Sequence, residues 1–86
     1  MQERLVFYYK KSCTECADVE AILESMIMNY DRVAITASPN PGMILVWSTD
    51  PPTEIPEAQI PAVPALWDRG TDNLWVGRRA IFGYLA

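Results

Sequence analysis

Two cysteines in this chain of 86 residues stand three positions apart, in the segment Cys13-Thr14-Glu15-Cys16. Thiols at this spacing suit two chemistries, because they can exchange with a disulfide or bind a soft metal ion as thiolates. A third interpretation is that both are small, buried apolar residues. The chain has no histidine, which excludes Cys–His pairs, histidine-dependent triads and histidine-ligated metal sites.

The residues around the pair predict a strand before it and a helix after it. Residues 5–9 are apolar and aromatic, and they predict a buried strand that ends before Lys10. Ser12 and Glu15 match the capping box that begins a helix. Free N–H groups and the helix dipole at such a start favour a thiolate at Cys13, and they lower a cysteine pKa from ~8.5 to roughly 3.5–7.5. This context favours redox chemistry for the pair.

Periodicity predicts the remaining elements. A helix follows the cysteines and ends near residues 29–31, and alternation over residues 33–37 predicts a second strand. Residues 65–67 and 74–76 predict a hairpin with turn-forming residues between its strands. Residues 78–86 predict a last short helix. The apolar stripe of the first helix, at i, i+3, i+4, i+7 and i+8, is Val19, Ile22, Leu23, Met26 and Ile27.

This order predicts a single α/β domain over residues 1–86, with a strand–helix–strand unit, a hairpin, a C-terminal helix and a mixed sheet. All seven prolines lie between Pro39 and Pro64, so the middle of the chain is irregular. Residues 43–47 fit either a short helical turn or an added strand. We expect the short helical piece followed by a loop.

Charge and composition exclude several classes of function. Seven basic and eleven acidic side chains give a net charge of −4, which argues against nucleic-acid binding. No apolar run approaches the ~20 residues that span a bilayer. The first residues, Met1 to Arg4, lack the long apolar region of a signal peptide. We therefore expect a cytoplasmic monomer without a nucleic-acid or membrane partner.

Four segments of the chain resemble the glutaredoxin family of the thioredoxin fold. They are the Phe-Tyr-Tyr-Lys run at 7–10, the C-x-x-C at 13–16, the Ala-Val-Pro at 62–64 and the Trp-Val-Gly-Arg at 75–78. The match covers most of the chain except roughly residues 38–60. The fold it implies is a minimal thioredoxin fold with a shortened or irregular middle helix region.

The resemblance implies a small disulfide reductase that needs no bound metal or prosthetic group. Cys13 is then the nucleophile and Cys16 the resolving cysteine. The Val63–Pro64 bond is expected to be cis and packed against the cysteines. The residues that the resemblance assigns to substrate or glutathione binding are Lys10, Val63, Pro64, Gly77 and Arg78.

Some positions depart from the family pattern. Ala62 stands where the family has threonine, Arg78 where it has a second glycine, and the motif is C-T-E-C rather than C-P-Y-C. The segment at 75–79 is also similar to one in NrdH-type redoxins, which take electrons from thioredoxin reductase and serve ribonucleotide reductase. The implied partners are a disulfide-containing protein such as ribonucleotide reductase, and glutathione or thioredoxin reductase as the electron source.

Two other functions stay open at this point. Small ferredoxin-like metallochaperones also place C-x-x-C between a strand and a helix, but that fold needs a helix before its final strand, whereas this chain is predicted to end in a hairpin and then a helix. The other alternative is a binding module that keeps the thioredoxin-like fold with little or no redox turnover.

Overall fold

A computed structural model of the chain describes residues 3–86, so the predictions about Met1 and Gln2 lie outside the described residues. It has a mixed, six-stranded sheet in the order β4-β3-β2-β1-β5-β6, together with two helices. The elements in chain order are β1 (Leu5–Tyr9), α1 (Thr14–Ser25), β2 (Tyr30–Ala37), β3 (Met43–Val46), β4 (Thr53–Pro56), β5 (Ala65–Asp68), β6 (Asn73–Val76) and α2 (Arg78–Leu85).

The two ends of the chain form the elements that the sequence predicts. Strands β1 and β2 are parallel and α1 connects them, with Leu5 opposite Tyr30. Strand β5 pairs antiparallel with β1, and β5 and β6 form the predicted hairpin. Helix α2 buries Ile81 and stacks Tyr84 on Trp75, with 3.8 Å between the ring centroids. The α/β class and the mixed sheet are therefore confirmed.

Helix α1 differs in detail from the predicted stripe. Its buried residues are Cys16, Val19 and Leu23, one helical turn apart and on one face. Ile22 and Met26, which the stripe also included, are 39% and 46% exposed. The helix ends at Ser25 instead of near residues 29–31, because the chain turns beyond it through a left-handed backbone at Ile27, with φ 54°.

The helices pack on one face of the sheet. Alternate residues of β1 point to opposite faces, so Leu5 and Phe7 meet the helices while Val6 lies on the other side. The fully or nearly buried cluster on the helix face is Leu5, Phe7, Cys16, Val19, Leu23, Leu66 and Ile81.

The middle of the chain is a strand hairpin and not the expected short helix. Ile44 and Val46 are buried while Met43 and Leu45 are half-buried, which is the alternation of a strand. Strand β3 pairs with both β2 and β4. The expectation for residues 43–47 was wrong, because β-branched side chains on this strand complete an apolar cluster with β2.

The only helical structure in this middle region of the described chain is a single 3-10 turn, Glu57–Gln59. Strand β4 lies at the sheet edge and ends at Pro56, where a missing N–H costs no ladder hydrogen bond. The apolar cluster on the helix-free face is Val6, Val33, Ile35, Ile44, Val46, Ile60 and Ala65.

The sheet curls so that its two edges approach each other across the helix-free face. Ile55 belongs to the edge strand β4 and Leu74 to the opposite edge strand β6, yet both border one cleft of about 360 Å³. Tyr8, in the central strand β1, lines the same cleft. Burial there raises the pKa of the Tyr8 phenol above its ordinary value.

Two ion pairs hold the N-terminal segment between β2 and β5. Arg4 donates to both carboxylate oxygens of Asp68, at 2.7 and 3.1 Å, and Asp68 is only 2% exposed. Arg69 donates to Asp31 at 2.9 Å. The hydrogen bonds from Arg4 and Arg69 hold the pKa values of these two carboxyls below their ordinary range. Gly70 lies under the Arg4 side chain, where a Cβ would come within 2.7 Å of Nε.

Over residues 3–86, neither helix is long and apolar enough to cross a membrane.

Candidate functional site

The cysteine pair lies where β1 leads into α1. Cys13 is the N-cap residue and the helix begins at Thr14, so the predicted cap at Ser12 is wrong by one position. Cys13 has an extended backbone, with φ −107° and ψ 107°, which aims its side chain back at the first turn. Its Sγ accepts a hydrogen bond from the backbone N–H of Cys16 at 3.1 Å. A sulfur atom therefore does what a serine or aspartate oxygen does at most helix starts.

Cys13 and Cys16 form a disulfide, with 5.2 Å between their Cα atoms. The two sulfurs are not equally accessible. Both residues line one cleft, but Cys13 is half-buried, whereas Cys16 is 3% exposed and belongs to the apolar cluster on the helix face. A reagent from solution therefore meets Cys13 first, and Cys16 lies behind it.

A cleft of about 280 Å³ opens beside the disulfide, between α1 and the β1–β2 pair. We call it the cysteine cleft. Its charged residues include three bases and one acid, whereas the whole chain carries a net charge of −4. The residues that line it are Phe7, Tyr9, Lys10, Lys11, Cys13, Cys16, Ala17, Glu20 and Arg32.

Arg32 forms the far wall of the cysteine cleft. Its guanidinium lies over the Tyr9 ring, 4.1 Å from the centroid, and its Nε donates to a carboxylate oxygen of Glu20. The hydrogen bond to Glu20 raises the pKa of Arg32 above its ordinary value. The parallel register explains the arrangement, because Arg32 pairs with Phe7 and so lies on the helix face of β2.

Three residues of the cysteine cleft are not among the site residues predicted from the sequence, namely Tyr9, Glu20 and Arg32. Two signals were present in the sequence. Glu20 follows Cys16 by four residues, which puts both on one side of a helix. Arg32 alternates with Val33, so its side chain points to the face opposite that buried residue. Only the pairing of β1 with β2 places Arg32 next to Tyr9 and within reach of Glu20.

The predicted binding residues divide into two groups. Lys10 lines the cysteine cleft, and the remaining predicted binding residues lie outside its lining. Gly77 donates its N–H to the carbonyl of Pro64 at 2.8 Å, so these two residues do meet. The Val63–Pro64 bond is cis, as the resemblance implies, and so is Asp50–Pro51. Val63 packs against the apolar clusters on both faces of the sheet.

Arg78 contacts the helix that carries the cysteines. Its Nη1 donates to Asp18 at 2.8 Å, and both side chains are about half exposed. This ion pair joins the first turn of α2 to the second turn of α1. In this structure Arg78 is therefore engaged with α1.

Within residues 3–86, no group of three or more His, Cys, Asp or Glu side chains is placed to hold a metal ion. Cys13 and Cys16, once reduced, are the two residues of this part of the chain that could bind a soft metal ion as thiolates.

Comparison with known proteins gives no match to a family model, a curated protein or a solved structure. Function is therefore inferred from the chemistry of the site.

Proposed function

We propose that the protein is a small thiol–disulfide oxidoreductase. The observation that carries this proposal is the unequal exposure of a disulfide at a helix start, with Cys13 half-buried beside a cleft and Cys16 almost fully buried. A redox pair needs this asymmetry, because one sulfur must meet the substrate while the other must be held ready to attack the first.

The surroundings of Cys13 favour its thiolate in the reduced protein. The N–H of Cys16 points at its sulfur, and the positive end of the α1 dipole lies there too. Lys10 and Lys11 add positive charge along the same cleft. A histidine base is then unnecessary, because the helix start and the lysines replace it.

The proposed cycle transfers two electrons from the dithiol to a substrate disulfide. The Cys13 thiolate attacks one substrate sulfur, the substrate S–S bond breaks, and the leaving thiolate takes up a proton from solvent. Cys16, after losing its proton, attacks Cys13 Sγ and displaces the second substrate thiolate. The product is the Cys13–Cys16 disulfide, which an external thiol reductant returns to the dithiol.

The order of elements supports a thioredoxin-like arrangement. A strand–helix–strand unit carries C-x-x-C, and a hairpin and a last helix follow. The β3–β4 hairpin stands where the glutaredoxin family has a helix. In this proposal the substrate is a disulfide-containing protein, and the reductant is glutathione or thioredoxin reductase. A cytoplasmic location stays a prediction.

A coupled assay tests the proposal. Reduction of insulin and of a mixed disulfide is followed first with glutathione and glutathione reductase, then with thioredoxin reductase. We expect turnover with one system, loss of turnover in Cys13→Ser, and a trapped mixed disulfide on Cys13 in Cys16→Ser. Ser12→Ala is the matched control, because Ser12 is exposed and does not cap the helix.

The absence of turnover with both systems, with a Cys13 thiol as weakly acidic as free cysteine, would sink the proposal and favour a binding module. Zinc or copper(I) retained by the reduced protein through gel filtration would favour a metal-binding role, since two thiolates from each of two chains complete a four-sulfur site.

A further inference from the structure

One cation of the cysteine cleft, the Arg32 guanidinium, has hydrogen-bond donors that no contact within the described chain occupies. Arg32 donates to Glu20 through Nε, and over residues 3–86 its Nη atoms have no hydrogen-bond partner. The side chain is 53% exposed. Because a guanidinium has five donors in one plane, a single bond at Nε leaves the Nη edge free.

The orientation of Arg32 is fixed by two contacts. The Tyr9 ring holds the flat face of the guanidinium, and Glu20 holds the Nε side. A guanidinium held in this way has little conformational freedom left to lose when a ligand binds. Its free edge matches the two oxygens of a carboxylate. Lys would not offer the same fork.

The charge balance of the cleft favours an anion. Glu20 neutralises one cation, and Lys10 and Lys11 leave an excess of positive charge along the cleft. Both lysines are exposed at the end of β1, next to Cys13. A volume of about 280 Å³ is just below the ~300–1,000 Å³ typical of small-molecule sites, so it suits one or two side chains of a peptide.

We propose that Arg32 is a specificity-determining residue that recognises a carboxylate of the substrate, and that the preferred substrate is a disulfide flanked by acidic residues. This inference rests on the proposed function and names the substrate class. The carboxylate binds the Nη edge of Arg32 while the substrate sulfur meets Cys13. Both groups line one cleft, so one short segment reaches both.

Two matched peptides test this proposal. Each contains one cysteine in a mixed disulfide, flanked by glutamates in one peptide and by glutamines in the other. We expect the wild-type protein to reduce the acidic peptide with roughly tenfold higher kcat/KM, the size of one charge-assisted hydrogen-bonded pair. The preference falls as ionic strength rises, because the cleft is open to solvent.

Variants separate Arg32 from overall charge. In Arg32→Gln the ratio of acidic to neutral kcat/KM falls towards one, and in Arg32→Lys it is intermediate, because the charge stays and the fork is lost. Arg79→Gln removes one positive charge from an exposed position outside the cleft and is expected to keep the wild-type ratio. Equal kcat/KM for both peptides in the wild type, or an equal fall of the ratio in Arg32→Gln and Arg79→Gln, would overturn the proposal.

Binding distinguishes a failure of this proposal from a failure of the proposed function. Serine analogues of both peptides are titrated into the oxidised protein and followed by NMR shifts of the Arg32 and Tyr9 signals. Tighter binding of the acidic analogue that Arg32→Gln abolishes supports carboxylate recognition even without turnover. Turnover of a neutral disulfide without any preference for the acidic peptide would agree with the proposed reductase function and would overturn the role of Arg32.

Discussion

The backbone N–H of Cys16 donates a hydrogen bond to the sulfur of Cys13 at 3.1 Å. The atom that would attack a disulfide is thus also the cap of the helix that carries its partner. Had Ser12 capped the helix, its hydroxyl would have taken a donor of the first turn. Because Cys13 occupies the cap, a thiolate that forms there accepts the first-turn hydrogen bond that a neutral serine or threonine accepts in many other helices.

The Cys13 thiolate is therefore expected to form at lower pH than that of free cysteine, which titrates near ~8.5. We predict that in Cys16→Ser the rate of alkylation by iodoacetamide rises with a midpoint below that value. In Cys13→Ser the remaining Cys16 should be alkylated slowly over the whole pH range of the titration, because it is buried. Urea-unfolded samples of both variants should titrate alike, and equal midpoints before and after unfolding would contradict the role of the helix start.

The corrected face of α1 predicts which apolar residues matter for stability. Leu23 is fully buried, whereas its neighbour Ile22 is 39% exposed. We expect Leu23→Ala to lower the free energy of unfolding by about 2–5 kcal/mol, and Ile22→Ala by about 1 kcal/mol or less. Urea denaturation measures both, and similar losses would restore the stripe that sequence periodicity alone indicates.

Alternation along β3 gives a test of strand against helix in the middle of the chain. Ile44 is buried against β2 and Leu45 is half-buried on the opposite face. Ile44→Ala should cost at least about 2 kcal/mol, and Leu45→Ala clearly less. NMR contacts between Ile44 and Ile55, which are paired across β3 and β4, report the hairpin directly. Helical i to i+3 contacts over this segment would be incompatible with it.

Ile27 has a left-handed backbone, with φ 54°, and its side chain is 90% exposed. A β-branched residue pays about 1–2 kcal/mol for this conformation, while glycine adopts it freely. We expect Ile27→Gly to stabilise the protein by about 1 kcal/mol, or roughly 4–8 °C in Tm. Ala21→Gly, at an exposed position inside α1, is the control and should destabilise. A loss of stability in both variants would argue against the turn at Ile27.

Asp68 makes stability depend on pH in a defined direction. Its folded-state pKa is lowered, first by the hydrogen bond from Arg4. The stability that the ionised carboxylate adds to the fold is therefore fully present above the ordinary pKa of 3.8. That contribution disappears as the pH falls through the depressed folded value. Asp68→Asn should therefore lower Tm by several degrees near pH 7, and the difference from the wild type should shrink at low pH. A constant difference over this pH range would show that the charge of Asp68 is not the cause.

Local patterns were sufficient for the regular ends of the chain. The apolar run at 5–9 forms the largely buried strand β1, and the apolar positions of the last helix share its inner face. The turn-forming residues between 67 and 74 connect the two strands of the hairpin. The position of the cysteine pair followed from the same patterns, because a strand end and a helix start leave only a few residues between them.

Local patterns failed where two structures bury similar residues. Residues 43–47 fit a strand or a helical turn, and β3 forms because β2 offers it an unpaired edge and an apolar neighbour, Ile35. The exact helix cap failed for a related reason. Ser12 and Cys13 both can cap, and the extended backbone of Cys13 decided between them.

The sequence by itself determined the α/β class, the hairpin, the last helix and the spacing that lets Cys13 and Cys16 form a disulfide, because each depends on residues close together in the chain. The tertiary structure decided which cysteine is the more accessible and which side chains share its cleft. Arg32 and Tyr9 are 23 positions apart, and only the parallel pairing of β1 and β2 stacks one on the other. This contact depends on strand register, and the uninterrupted apolar and aromatic run of β1 has no polar alternation from which its register with β2 could be predicted.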